Sequence, residues 1–277
     1  MAAPSAPAGG TPVKLHHWLY GVTPGEGYGI KGRSAGLNVA LVEAPLAGHY
    51  TPIRGDAVQG VGGVNFRMIH PASSGEDVLL SRLGKGPPDE LGRPTFQNHI
   101  AVAPRVALAE GRVTLAGMDK AIAEFDKVNG SMVGELPALE VPLAPPGYRL
   151  GSGLRSHMTR AAVETLATRR MKDLEARTLV LARETPPEIR NEVLYKLTEL
   201  LVFKIGMPPF ASMSDAPTAS VLNEFNLVVA PRGVRADASW AILESSTPAA
   251  LMPRVPKAEM VYRTIEESYA ADTSAFG

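Results

Sequence analysis

Gly27, Gly29 and Gly32 form a complete GxGxxG directly after an apolar run from Leu15 to Val22, the first residues whose type and spacing could do chemistry. In a dinucleotide-binding fold such glycines open a helix whose free amides hold a pyrophosphate, with an acidic residue about 20 positions on for the ribose. The spacing argues against that use. Only Arg33 to Leu37 separate the third glycine from the next β-like run, Asn38 to Glu43, so a helix and its return loop do not fit. The Walker pattern GxxxxGK[ST] is absent, and no HRD or DFG element follows. The segment therefore reads as a glycine-rich hairpin or loop, and no cofactor is expected.

The remaining reactive side chains are scattered. His16 and His17 are adjacent, so on a strand they point to opposite faces, which predicts one surface and one core histidine rather than a chelating pair. There is no HExxH and no cysteine, which removes thiolate chemistry, disulfides and cysteine-ligated metals, and no metal site is expected. His99 follows Asn98 at the start of an apolar run, where a neutral imidazole could work near pH 7; a core histidine bonded to backbone is the competing reading. Ser34, Ser152, Ser156 and Ser212 lack the GxSxG elbow of a serine nucleophile. Arg33 beside Ser34, and Arg93 upstream of His99, would hold a carboxylate or phosphate together if their strands meet, although exposed arginines are commonly just solvated. No catalytic residue stands out.

These residues need elements to place them. The first half is strand-rich, with β-like runs at Leu15–Val22, Asn38–Glu43, Gly62–Ile69, Val78–Leu83 and His99–Ala103, and turns at Gly60–Gly63 and Gly84–Pro88. Met118, Ala121, Ile122, Phe125 and Val128 make a helical stripe closed by Gly130. Residues 137–147 carry four prolines and read as a linker. Beyond it the spacing predicts a helix over Arg155–Glu175, a strand over Thr178–Ala182, and a helix capped by Thr185 and Glu188 that buries Ile189, Val193, Leu197, Leu200, Leu201 and Ile205. Strands at Phe225–Ala230 and Trp240–Glu244 and a last helix over Lys257–Ala271 follow. The expected fold class is α+β, a largely antiparallel sheet with several packed helices. Its divisions are a flexible tail 1–12, a strand-rich domain or subdomain 13–136, the linker 137–147 and a helix-rich α+β domain or subdomain 148–277. The tetrapeptide Val102–Arg105 recurs at Val229–Arg232, which leaves duplication of the halves open against coincidence.

Charge narrows the partners. Acidic and basic residues number 28 each, 13 of each sign lying in residues 1–150, so neither half has the basic surface of a nucleic-acid binder. The Ala/Pro/Gly-rich opening lacks the basic and apolar regions of a secretory signal, and no uncharged apolar run reaches about 18 residues, so a cytoplasmic protein without membrane insertion is expected.

The order His17, Trp18, Leu19, Tyr20, Gly21, then Gly27 to Ile30, Arg33 and Ser34, then Gly92, Arg93, Pro94 leading to Asn98 and His99, resembles the N-terminal domain of the GTPase-associated proteins of prokaryotic conflict and signalling systems. The resemblance covers mainly residues 15–105. It implies a non-catalytic adaptor or regulatory module with a protein partner, a small GTPase first among the candidates, and marks Tyr20, Tyr28, Arg33, Ser34, Arg93 and His99 as a binding region. Two other readings stay open: a structural subunit of a larger homo- or hetero-oligomeric assembly, and an enzyme with an anion site built from Arg33, Arg93 and His99.

Overall fold

The computed structural model describes residues 11–39, 66–148, 178–181, 187–199, 212–214, 225, 227–230 and 241–244. In chain order the strands of the first half are β1 (Val13–Thr23), β2 (Gly27–Ser34), β3 (Phe66–Pro71), β4 (Asp77–Gly86) and β5 (Thr95–Pro104). Helices α1 (Arg105–Ala109) and α2 (Leu115–Asn129) follow, then β6 (Gly134–Leu136) and β7 (Leu139–Val141). The second half holds β8 (Thr178–Leu181), α3 (Pro187–Thr198), β9 (Ser212–Ser214), β10 (Leu227–Ala230) and β11 (Ala241–Glu244). The architecture is α+β with mostly antiparallel strands, and contacts divide it into two compact units, residues 1–64 with 71–149 and residues 65–70 with 150–277.

In the first unit the strands run in the order β4-β5-β1-β2-β6, with β7 pairing the start of β1 at Val13 to Leu15. Alternation along β1 and β5 gives the sheet two different faces. One buries Trp18, Leu79, Ile100 and Val102 with Val39 and Ala72 in an apolar cluster. The other carries His17, Arg82 and His99 and is covered by α2, which buries Leu115, Met118, Ala121, Ile122 and Phe125. Thr114 starts that helix: its extended backbone leaves the helical path, and its hydroxyl accepts the Gly117 N–H at 2.9 Å. The motif glycines lie in a hairpin. Gly25 and Gly27 take positive φ of 75° and 83° at the turn, and Gly29 and Gly32 sit inside β2, so no phosphate-binding helix follows the motif.

In the second unit β11, β8, β10 and β9 pair in parallel in that order, and β3 adds to β9 antiparallel. The repeated tetrapeptides begin in unlike settings: Val102 sits between antiparallel neighbours and Val229 between parallel ones, so this echo marks no duplicated strand.

Several local expectations change. Val128 is 79% exposed, and the buried stripe of α2 ends at Phe125. Gly84 to Gly86 belong to β4, pairing with Phe96 and its neighbours; a Cβ on Gly86 would lie 2.5 Å from Thr95 Oγ1, so glycine there serves close strand packing rather than a turn. Residues 137–147 contain β7, whose three residues complete pairing with β1 between prolines. Asn38 and Val39 are not in a strand. In α3 the buried face includes Asn191, Leu194, Tyr195 and Leu197, whereas Val193 is only half-buried. The helices expected over Arg155–Glu175 and Lys257–Ala271, the Thr185 cap, the end of α3 beyond Glu199, the turn at Gly60–Gly63 and the rest of the Asn38–Glu43 run lie outside the described residues.

Candidate functional site

Strand register brings the key histidines together. Leu19 faces His99 and His17 faces Ala101 across the β1–β5 ladder, which makes His17 and His99 diagonal neighbours on the α2-covered face. Their rings stack with centroids 4.9 Å apart, and Phe125 of α2 packs edge-on against both, at 4.7 and 5.3 Å. His17 Nδ1 lies 2.8 Å from His99 Nε2, His99 Nδ1 lies 2.7 Å from Asp126 Oδ1, and His17 Nε2 lies 2.7 Å from the Pro137 carbonyl oxygen. Both imidazoles are buried, while the Asp126 side chain keeps 28% of its surface in solvent. The His17 pKa is lowered to about 4, chiefly by burial and secondarily by the neighbouring His99, with the Pro137 carbonyl and Asp126 opposing. His17 is therefore neutral at pH 7. Arg82 anchors the acidic end: its guanidinium donates to Asp119 Oδ1 at 3.1 Å and lies 3.9 Å from Asp126 Oδ2.

A buried lysine, Lys31, sits beside this chain. β2 bulges where Ile30 pairs with Tyr20 but Gly32 pairs with Leu19, leaving Lys31 without a partner residue. Its side chain turns inward, and Nζ donates to Gln97 Oε1 at 3.1 Å and to the Gly130 carbonyl at the end of α2 at 3.4 Å. Burial lowers its pKa, with Asp126 opposing. A bulge and an inward lysine on a strand this near the sheet edge hinder edge-to-edge pairing with another chain.

Of the residues marked by the sequence, Ser34 is buried and structural: its hydroxyl accepts the His17 N–H at 2.9 Å and donates to the His17 carbonyl at 3.2 Å. Tyr28 is exposed, stacks on Phe96 at 4.4 Å and on Tyr20 at 6.3 Å, and its hydroxyl accepts the Phe96 N–H. Arg33 is exposed and shares with Ser34 the wall of a cavity of about 820 Å³, along with Ile30, Leu37 and Glu135. Arg33 and Glu135 are in register on the parallel β2–β6 pair, so they stand on one face. Arg93 keeps to the β4–β5 connection, where Nε binds Asp89 Oδ2 at 2.6 Å. Neither Arg93 nor His99 lines the cavity with Arg33, so the structure does not gather these three around it.

Sequence reasoning expected one surface and one core histidine, and the structure makes His16 the exposed one and His17 the buried one; it missed the partners of His17, the role of Asp126 and the inward turn of Lys31. A signal for Asp126 existed: Asp119 and Asp126 lie one heptad apart at the margin of the α2 apolar stripe, where a carboxylate must find a partner. Among the described residues no group of three His, Cys, Asp or Glu side chains is placed to hold a metal, and no helix is long and apolar enough to cross a membrane. Neither a protein-family model nor a curated protein matches this chain. Chemically, the histidine chain can store and pass protons internally, but the described structure leaves neither ring a free nitrogen to offer a substrate.

Proposed function

We propose that the chain is a non-catalytic adaptor or regulatory module that works with a GTPase in a prokaryotic signalling or conflict system, in the cytoplasm. One observation carries this reading. The histidine best suited to acid–base work, His99, is sealed and committed to His17 and Asp126, whereas the polar groups left facing solvent, Arg33 and Glu135, stand around an open cavity on the β2–β6 edge. Such an arrangement suits recognition better than turnover. The resemblance of residues 15–105 to GTPase-associated proteins supplies the partner class, and Tyr28 and Arg33 supply exposed aromatic and guanidinium groups of the kind that dominate protein interfaces.

The test is co-purification with the GTPase encoded in the same gene neighbourhood, loaded in turn with GDP and a non-hydrolysable GTP analogue. A complex that depends on the loaded nucleotide is expected. No complex in either state would contradict the proposal.

A further inference from the structure

The short contacts along Asp126, His99, His17 and the Pro137 carbonyl have a proton requirement that follows from valence alone. Each of the three gaps, at 2.7, 2.8 and 2.7 Å, needs one hydrogen between two acceptors. Two neutral imidazoles bring two hydrogens and a carboxylate brings none, so the intact chain holds one more. That third proton can rest on Asp126 or on His99 without changing the number of bonds, and His17 stays neutral in both cases. A fourth proton placed on either ring would set two hydrogens against each other in one gap. With only two protons, two lone pairs face each other at hydrogen-bond distance.

The chain ends on Pro137, which connects β6 on the β2 edge to β7 on β1. From this geometry we infer that the Asp126–His99–His17 chain is a proton-counted latch on the β6–β7 connection, loosened by loss of one proton or by gain of a further proton on its rings. The inference goes beyond the adaptor reading and stands without it. The charged groups around the latch come from every element packed on it. Arg82 of β4 and Asp119 of α2 frame Asp126, Lys31 of β2 acts on Asp126 from the bulge, and His16 opposes protonation of His17 more weakly. The connection itself contributes the uncharged Pro137 carbonyl. The low pKa of His17 agrees with resistance to a fourth proton.

Asp126→Asn separates this latch from a merely structural contact. An asparagine amide donates a hydrogen to His99 Nδ1, so the three gaps are then filled with both imidazoles neutral, and no extra proton remains to be lost. The experiment follows the slowly exchanging imidazole N–H resonances of ¹⁵N-histidine-labelled protein across pH. The wild type should show a bell-shaped intensity profile, each limb falling about tenfold per pH unit. Asp126→Asn should keep the acid limb and lose the alkaline one. Identical profiles in the two proteins, or a wild-type profile with one limb or none, would overturn the inference. Should Asp126→Asn not fold, as judged by circular dichroism, the wild-type profile decides alone.

Discussion

Acid should unfasten the first unit through His17. The folded-state pKa of this side chain is about 4 against 6.5 for the free group, chiefly because the ring is buried and secondarily because His99 lies against it. Between those two values the unfolded chain binds a proton that the folded chain refuses, so stability falls as pH falls. The contribution is intact above the unfolded value and is lost as pH drops toward the folded one. A difference of this size corresponds to roughly 3 kcal/mol at about 1.4 kcal/mol per pKa unit. The assay is urea unfolding followed by the fluorescence of Trp18, which is fully buried in β1, in a Trp240→Phe background so that a single indole reports. Measurements at about pH 7, 5.5 and 4.2 should show the wild type losing most of that 3 kcal/mol, while His17→Gln starts lower and changes less. If the difference between wild type and His17→Gln were the same at every pH, His17 would not be held neutral by burial, and the reasoning would fail.

Other perturbations test separate parts of the structure. Gly32→Ala sets a Cβ 2.9 Å from both the Gly134 carbonyl oxygen and Leu136 Cδ2, so it should cost about 1–3 kcal/mol in chemical denaturation; a neutral result would mean β6 does not pack against β2 as described. Lys31→Met removes a buried charge whose pKa burial lowers, and its melting temperature at pH 7 should hold or rise. A marked drop would show that the bonds to Gln97 and Gly130 outweigh desolvation. Leu197→Ala on the buried face of α3 should cost about 2–5 kcal/mol, and an unchanged melting curve would place that face in solvent.

What the sequence disclosed follows the range of the interactions. β1, β4 and β5 are legible because alternation and β-branched runs are local, and the opposite fates of His16 and His17 follow from strand geometry alone. The five residues after Gly32 sufficed to reject a phosphate cradle, because a helix has a minimum length. β6 and β7 escaped because three-residue strands flanked by proline carry no periodic signal and exist only through their partners β2 and β1. The histidine chain was hidden for the same reason: His17 and His99 are 82 residues apart and His17 and Pro137 are 120 apart, and only the register of the sheet makes them neighbours. Lys31 carries no sequence signal of burial: the bulge that turns it inward is demanded by no local residue preference.

The adaptor reading is tested most directly by titrating the neighbouring GTPase, in GDP- and GTP-analogue-loaded forms, into the wild type and into Arg33→Glu, with Arg112→Ala as a control because Arg112 pairs with Glu110 away from the cavity. Isothermal calorimetry should show saturable binding to one nucleotide form, weakened at least tenfold by Arg33→Glu, about 1.4 kcal/mol, and unaffected by Arg112→Ala. No heat of binding in either form, or equal affinity for wild type and Arg33→Glu, would contradict a GTPase-linked module that uses the β2–β6 face.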